Sequence, residues 1–390
     1  MPTQAPVFSQ ITEALDPTEF ARCAAQFLGS RSPRGLTTYD HFLTLCFGQL
    51  TYRESLRDIV ACLNSRPQLL YHLGFRGRIT RTNIAYANEH RDWRIFAAAA
   101  EVLIRRAQRL YQDDPTDADF PEVAFALDSS IIHLSLKLFP WAYWARSCAA
   151  GVKLHTLISL RASIPTWSAI TEVSFADPKM LDQVPLERGA FYVMDRAYLD
   201  FRRLGRWQAN QAKFVLRSKC HVRFYVVASR PVDKGAGLRC DQTIRLKSSW
   251  SSKAYRLALR RIRFRDEQQN RSLVFLTNDF ELPALTICEL YKRRWQVELF
   301  FKWIKQHLRI RNFFGRSPNA IHCQIWTAIC AYLLVAIAKK KLRTSKSLYQ
   351  ILQILSVSAF EQLPLAELLA QTALPQNPPD HQNTQYLLAF

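Results

Sequence analysis

The sequence predicts an α/β protein with an all-helical N-terminal unit and a β-strand insertion. Apolar residues recur with a spacing near 3.6 up to about residue 110, which indicates helices. Strand-like and helix-like segments then alternate, and a run of strand-like segments with polar breaks follows from about residue 220. We therefore expect a helical domain at 1–115, a core at 122–219 and 281–345, an insertion at 220–280 and a helical tail at 346–390.

The charge balance indicates the kind of partner. Lysine and arginine number 53 against 32 acidic residues, which leaves a formal charge of +21. This excess favours a polyanion, with nucleic acid first and an anionic membrane surface second. The longest apolar run, 325–338, is too short to span a bilayer, so we expect a core helix and no membrane. No export signal opens the chain and no cysteines form a Cys-x-x-Cys pair, which favours a cytoplasmic protein without zinc or disulfides.

A basic segment of the helical unit is a candidate for DNA contact. A helix that ends before Gly74 is followed by RGRITRTNIAYANEH, whose polar, basic helix start resembles the second helix of a helix-turn-helix. The candidates to face a DNA groove are Arg78, Arg81, Thr82 and Asn83. A solvated helix start capped by a threonine explains the same pattern.

Two aspartates follow strand-like segments of the core. Asp128 closes VAFALD, which precedes a second strand IIHLSLKLF, and Asp195 closes AFYVMD. If the two strands are parallel neighbours, both carboxylates lie at the edge where open α/β sheets bind ligands. Either residue alone is explained better as the cap of the following turn or helix, and only their joint placement with a third acid favours a site.

A late segment, 291–311, reads as one amphipathic helix. Its polar side falls within an arc of about 60° and consists of Tyr291, Arg294, Glu298 and Lys305. Its apolar side consists of Val297, Phe300, Phe301, Ile304 and Leu308. Glu298 alone would be a surface ion-pair partner of Arg294 and Lys302. Placed beside Asp128 and Asp195, it would complete a group of three acids.

Three acids in one crevice require a cation. Hard carboxylate oxygens suit Mg²⁺ or Mn²⁺, and two such ions activate the attacking oxygen and stabilise the leaving oxygen of a phosphodiester. The sequence therefore predicts metal-dependent phosphoryl transfer on a nucleic acid, with two bound ions.

These residues resemble a known family. The pattern Y-x₂-R-x₃-E-x₆-K at 291–305, with Asp128 in LDSS and Asp195 in MDRAYLD, is similar to the DDE transposases of the bacterial insertion-sequence-four family. The resemblance implies an RNase H-like catalytic domain with a β insertion, preceded by a helical DNA-binding domain. It also implies that the three acids bind the metal, that Arg294 and Lys305 contact DNA phosphates and that Tyr291 hydrogen-bonds nearby.

Further residues match segments of that family. They are Arg196, Tyr198 and Asp200 after the second aspartate, of which Arg196 and Tyr198 are expected to contact DNA, and Lys153 and His155 in AGVKLH. A strand-start lysine that faces solvent explains Lys153 at least equally well. In relatives an aromatic residue of the insertion stacks on a base flipped out at the cut end, and Trp250 is the candidate here.

The resemblance implies a transposase that binds the terminal inverted repeats of its element, cuts the DNA and joins it to a target. Holding two ends together implies a homodimer on double-stranded DNA. Two alternatives remain open: an RNase H-fold nuclease that does not join strands, and a DNA-binding derivative without activity.

Overall fold

The computed structural model describes residues 4–28, 35–114, 120–145, 148–267, 270–307 and 313–370. One large mixed sheet lies beside helices from both ends of the chain. The helices are α1 (Val7–Thr12), α2 (Pro17–Ala25), α3 (Thr38–Leu50), α4 (Leu56–Asn64), α5 (Arg81–His90), α6 (Arg94–Tyr111), α7 (Asp177–Met180), α8 (Phe201–Ala209), α9 (Ser249–Ala254), α10 (Ala284–Lys292), α11 (Trp295–His307), α12 (Pro318–Lys341), α13 (Leu348–Ser358) and α14 (Leu365–Ala370). The strands are β1 (Ala124–Leu134), β2 (Tyr143–Trp144), β3 (Ala149–Ser159), β4 (Pro165–Glu172), β5 (Phe191–Met194), β6 (Lys213–Arg217), β7 (Phe224–Arg230), β8 (Leu238–Leu246), β9 (Leu259–Asp266) and β10 (Arg271–Thr277).

The sheet confirms the RNase H-like α/β fold. Its first half has the order β4-β3-β1-β5-β6, in which β4, β3 and β1 are antiparallel while β5 and β6 run parallel to β1. The insertion does not form a separate sheet. Its strands β7 to β10 extend the same sheet because β10 pairs antiparallel with β6.

The first core strand differs from its prediction. Asp128 was expected to end a strand, but β1 continues through it to Leu134. The reason is the long antiparallel pairing with β3, which extends from Phe125 to Leu134 and overrides the turn tendency of two serines. The parallel pairing with β5 does stop at Leu127, so Asp128 stands where β1 leaves its parallel neighbour.

The late segment is not one helix. α10 ends at Lys292 and α11 begins at Trp295. Between them Arg294 N donates to Tyr291 O at 3.1 Å, and this i→i−3 bond replaces the i→i−4 pattern of an α-helix. The break contains neither proline nor glycine, so the sequence carries no local signal for it. The predicted apolar residue Leu308 lies outside the described residues.

The helix-turn-helix expectation is wrong in its geometry. The helix before α5 ends at Asn64, not before Gly74, and residues 65–80 separate it from Arg81. This connection is far longer than the three or four residues of a helix-turn-helix. Thr80 caps α5 by accepting a hydrogen bond from Asn83 N at 3.3 Å, as the alternative interpretation requires.

The apolar run is the central helix of the protein. α12 is long and apolar enough to cross a membrane by length and composition, but 94% of its most apolar window is buried inside the protein. It packs against α3, α5, α6 and α13. The expected core helix is therefore confirmed.

Helices from both ends of the chain share one hydrophobic core. Val7 N donates to Glu361 O at 2.9 Å and Phe8 N donates to Ala359 O at 3.1 Å, which ties the start of α1 to the end of α13. Phe47 of α3 packs against Phe360 with ring centroids 5.4 Å apart. The tail therefore completes the N-terminal unit, and the four-part division of the chain stays a prediction.

We expect Leu352→Ala to lower the free energy of unfolding by about 2–5 kcal/mol, because the fully buried side chain leaves a cavity between α13 and the N-terminal helices. Val357 lies in the same helix with 83% of its surface exposed, and Val357→Ala is the matched control, expected to change stability by about 0.5 kcal/mol or less. Denaturant unfolding followed by circular dichroism measures both. Equal losses in the free energy of unfolding for Leu352→Ala and Val357→Ala would contradict a shared core.

Candidate active site

The sheet presents Asp128 and Asp195 on the same face. Side chains alternate along a strand, and Ala126 of β1 and Val193 of β5 belong to the core beneath α11 and α12. Leu127 faces the opposite core, which contains Met194. Because Leu127 and Met194 are register partners, the next residues of both strands, the two aspartates, turn together toward α11.

Asp128 is largely buried, with 19% of its side chain exposed. Its Oδ1 accepts the backbone N–H of Ser129 at 2.8 Å, and its Oδ2 accepts a hydrogen bond from Arg294 Nη1. Burial, with smaller contributions from the charges of Asp195 and Glu298, raises the pKa of Asp128 to about 6 against the lowering effect of Arg294. The three acids therefore interact electrostatically around one crevice.

Arg294 lies between the first and the third acid. Its Nη2 donates to Glu298 Oε1 at 2.7 Å, while its Nη1 contacts Asp128, and 16% of its side chain is exposed. Burial lowers the pKa of Arg294, but the charge of Asp128, followed by those of Tyr291 and Glu298, raises it above its usual value. Its Nε is buried with no hydrogen-bond partner among the described residues. The guanidinium is thus the cation that compensates the acids.

Tyr291 connects the second acid to the helices. Its hydroxyl donates to Asp195 Oδ1 at 3.4 Å, and its ring, 8% exposed, packs against Phe275 of β10. Burial raises the pKa of Tyr291, so the phenol is protonated at neutral pH and remains a donor. Each predicted acid is therefore in contact with Tyr291 or Arg294.

Lys305 lies in α11 beyond Glu298. Its side chain is half-buried, and burial lowers its pKa. Within the described part of the chain it makes no hydrogen bond or ion pair, so its ammonium group remains available for an anion.

The carboxylate oxygens of the three acids suit a divalent ion, although the described side chains do not form a complete metal site. Carboxylate oxygens are the ligands that Mg²⁺ and Mn²⁺ prefer, and a cation, the Arg294 guanidinium, already lies among them. Among the described residues, no three histidine, cysteine or acidic side chains are close enough to hold one ion. The residues fit the metal if Arg294 releases Asp128 and Glu298.

Arg196 and Tyr198, which follow Asp195, differ in their exposure to solvent. Arg196 is exposed beside the crevice. Tyr198, predicted to contact DNA, is only 1% exposed and its ring belongs to the core behind the sheet. That prediction is corrected: Tyr198 supports the turn after Asp195 because its apolar ring is buried there. Asp200 caps α8 by accepting from Arg203 N at 3.0 Å.

Trp250 lines a small cavity. It lies in α9 with 64% of its surface exposed. The cavity, about 240 Å³, is lined by Trp250 together with Lys219, His221, Arg223 and Leu199. Leu199 also follows Asp195 closely in sequence.

The candidates of the helical unit lie at the start of α5. Arg78, Arg81 and Asn83 are all exposed. In the described residues, no contact joins them to the three acids, so they form a separate surface.

Sequence analysis missed Asp177. It accepts a hydrogen bond from Ser129 Oγ at 2.9 Å and pairs with Lys153 Nζ at 3.2 Å, directly behind Asp128. Asp177 begins the segment DPKMLDQV and has the ordinary pattern of a helix start. The family match of Lys153 was the one signal that pointed to this cluster.

Comparison with protein families agrees with this geometry. The profile of the transposase DDE domain matches residues 119–334, which contain all three acids and Tyr291, Arg294 and Lys305. A second profile, of a domain of unknown function, matches residues 3–76 of the helical unit.

Similar proteins are transposases. A putative transposase of Sinorhizobium fredii is 32% identical over 73% of this chain and 78% of its own length. A probable transposase of a Geobacillus stearothermophilus insertion sequence is 32% identical over 55% of this chain and 56% of its own. Among solved structures, a piggyBac transposase synaptic complex with hairpin DNA covers 92% of this chain and 80% of that chain with a TM-score of 0.46 and 9% identity. The matched DDE domain spans more than half of the chain, which therefore belongs to the DDE transposases and is an enzyme of DNA transposition.

Proposed function

We propose that this transposase binds the terminal inverted repeats of an insertion sequence, cuts the DNA at the crevice of Asp128, Asp195 and Glu298, and joins the freed 3′ ends to a target. The observation that carries the proposal is the meeting of Arg294 with Asp128 and Glu298, residues 166 and 4 positions away in sequence. Arg294 thereby joins an acid of β1 to an acid of α11, and Tyr291, three residues earlier, contacts the third acid, Asp195. The match of the signature to the insertion-sequence-four family supports the same assignment.

The three acids are the residues that would hold Mg²⁺ or Mn²⁺, in two positions. The bound ions would supply the charge that activates the attacking oxygen and stabilises the leaving oxygen of the phosphodiester. The chain supplies the ligands, and burial of Asp128 makes its charge costly without a cation.

Arg294 cannot pair fully with the two carboxylates and with a DNA phosphate at the same time. It neutralises Asp128 and Glu298 here, but the family role assigns it to a DNA phosphate, and one guanidinium does not hold both in full. A phosphate at the crevice would therefore draw Arg294 away and free both carboxylates. This exchange links DNA binding to completion of the metal site.

The remaining contacts extend along the DNA. Lys305 and Arg196 lie on the catalytic side and suit phosphates of the transposon end. Arg78, Arg81 and Asn83 provide a second, exposed basic surface for the repeat. Trp250 has the exposed ring that stacking on an extruded base requires. Because both ends of the element must be held together, we propose that the protein acts as a homodimer on DNA. This complex would form in the cytoplasm, at the nucleoid.

Joining distinguishes this proposal from simple hydrolysis. The protein would be incubated with a DNA fragment that carries the element's end and with a supercoiled plasmid. Products in which the end is covalently linked to the plasmid support transposition. Nicks without joined products would favour the RNase H-fold nuclease, and binding without either product would favour the inactive derivative.

We expect Asp128→Asn, Asp195→Asn and Glu298→Gln each to abolish cleavage, because each removes an ionic ligand. Binding of end DNA in Ca²⁺ should stay within a few fold, since the phosphate contacts remain. Gel assays of cleavage and fluorescence anisotropy of binding measure the two effects. Glu289→Gln is the control, because Glu289 is exposed on α10 and should leave cleavage unchanged. Cleavage by any of the three variants would remove that residue from the site.

We expect Arg294→Gln to bind Mn²⁺ more tightly than the unchanged protein in the absence of DNA, since the competing guanidinium is gone. The same variant should bind end DNA more weakly, with a salt slope lower by about 1 because one phosphate contact is lost. Electron paramagnetic resonance of free Mn²⁺ at pH 8 and anisotropy titrations at several salt concentrations give the two quantities. Weaker Mn²⁺ binding would contradict the exchange.

We expect Trp250→Ala to weaken binding of a cut end by about 1–3 kcal/mol, the value of one base stacked on an aromatic ring. Trp250→Phe should keep most of that binding. A 2-aminopurine placed near the end reports base extrusion by its fluorescence. If alanine and phenylalanine behave alike in both measurements, Trp250 does not stack on a base.

A further inference from the structure

Behind the three acids, on the opposite face of β1, polar side chains surround one partly buried carboxylate, that of Asp177. Asp177 Oδ1 accepts a hydrogen bond from Ser129 Oγ at 2.9 Å and lies 3.2 Å from Lys153 Nζ. Lys153 also donates to Phe175 O at 2.8 Å, which fixes its ammonium group at this place. The side chains of Lys153 and Asp177 are 10% and 23% exposed, so the pair is largely shielded from water.

Lys153 is the cation of this cluster. His155 Nδ1 lies 4.0 Å from Asp177 Oδ1, but burial lowers the pKa of His155 to about 4. The imidazole is therefore neutral at neutral pH. A shielded ion pair of this kind is costly to break on one side only, because the remaining charge is left without a partner.

The cluster is connected to the first acid through Ser129. Ser129 donates its hydroxyl to Asp177, while its backbone N–H donates to Asp128 Oδ1 at 2.8 Å. Successive residues of a strand point to opposite faces, so anchoring Ser129 on the rear face sets the direction of Asp128 on the front face. The contact thus acts on the orientation of Asp128 across the strand.

The helix that Asp177 begins contacts the turn after the second acid. Asp177 begins α7, which packs against the turn Arg196–Tyr198 that directly follows Asp195. The buried hydroxyl of Tyr198 lies near Ser129, and burial, followed by the charges of Asp128 and Asp177, raises its pKa. The start of α7 therefore adjoins both the middle of β1, at Ser129, and the turn after β5, from behind the sheet.

We propose that Asp177 is a positioning residue of the active site: held by Lys153, it fixes Ser129 and the turn after Asp195 so that Asp128 and Asp195 face one metal site. This inference rests on the proposed metal-binding role of the two aspartates. Removal of a residue that orients a metal ligand typically lowers metal affinity or activity by about 10- to 100-fold. Asp177 touches neither metal nor substrate and acts through its neighbours.

The test measures Mn²⁺ affinity of the full-length protein without DNA, and cleavage of end DNA separately. Asp177→Asn and Ser129→Ala should each weaken Mn²⁺ binding about tenfold and slow cleavage about 10–100-fold. The double variant should be no worse than the more severe single variant, because both changes interrupt one contact. Binding of end DNA in Ca²⁺ should stay within about twofold, since no phosphate contact is lost.

Asp182→Asn is the matched control. Asp182 lies in the same segment and pairs with Arg203 at 2.9 Å and with Arg206 at 2.7 Å on the surface of α8, away from Ser129. It should leave Mn²⁺ affinity unchanged. Ser129→Ala is the milder change, and it decides the question if Asp177→Asn fails to fold in a thermal melt.

Each outcome separates this inference from the proposed function. Unchanged Mn²⁺ affinity in Ser129→Ala, or full additivity of the two changes, overturns the positioning role of Asp177. If Asp128→Asn binds Mn²⁺ as tightly as the unchanged protein, the proposed metal site itself is wrong. Loss in Asp128→Asn with no loss in Asp177→Asn or Ser129→Ala leaves the metal site standing and removes Asp177 alone.

Discussion

The repulsion among three carboxylates is the constraint on which the site depends. Asp128 is buried, and the charges of Asp195 and Glu298 act on it across the same crevice. Such a group is stable in a folded protein only if a cation compensates it. In this structure the cation is Arg294, which reaches Asp128 because the chain breaks its helix between α10 and α11. The helix break and the ion pair between Arg294 and Asp128 therefore occur together.

The sheet supplies the second requirement, a fixed direction for each acid. Parallel pairing of β1 with β5 puts Asp128 and Asp195 at the same level, and strand alternation turns both toward α11. The insertion preserves this arrangement because β10 pairs with β6 and continues the sheet without disturbing β1 or β5. A long segment of chain is thereby added beside the crevice while the strands that carry the acids stay in register.

The helices at the two ends of the chain are joined in one core. α12 is buried along most of its length, and it packs against both the N-terminal helices and α13. The same helix continues the chain that carries Glu298, after α11. A change in the packing of the helical unit therefore has a direct structural route to the catalytic side of the molecule. This coupling distinguishes the observed fold from two independent domains connected by a linker.

The sequence by itself determined the class of fold and the signature around Glu298, because hydrophobic periodicity and the types of residue are local properties, and it predicted the three acids of the site. It also predicted a core helix at 325–338, since an apolar run of that length is too short to span a bilayer. Tertiary structure decided what depends on distant partners. β1 runs through Asp128 because β3 pairs with it, and α11 starts anew at Trp295 where Arg294 meets Asp128. Asp177 acquired its neighbours only through folding, since its contacts with Ser129 and Lys153 join separate strands.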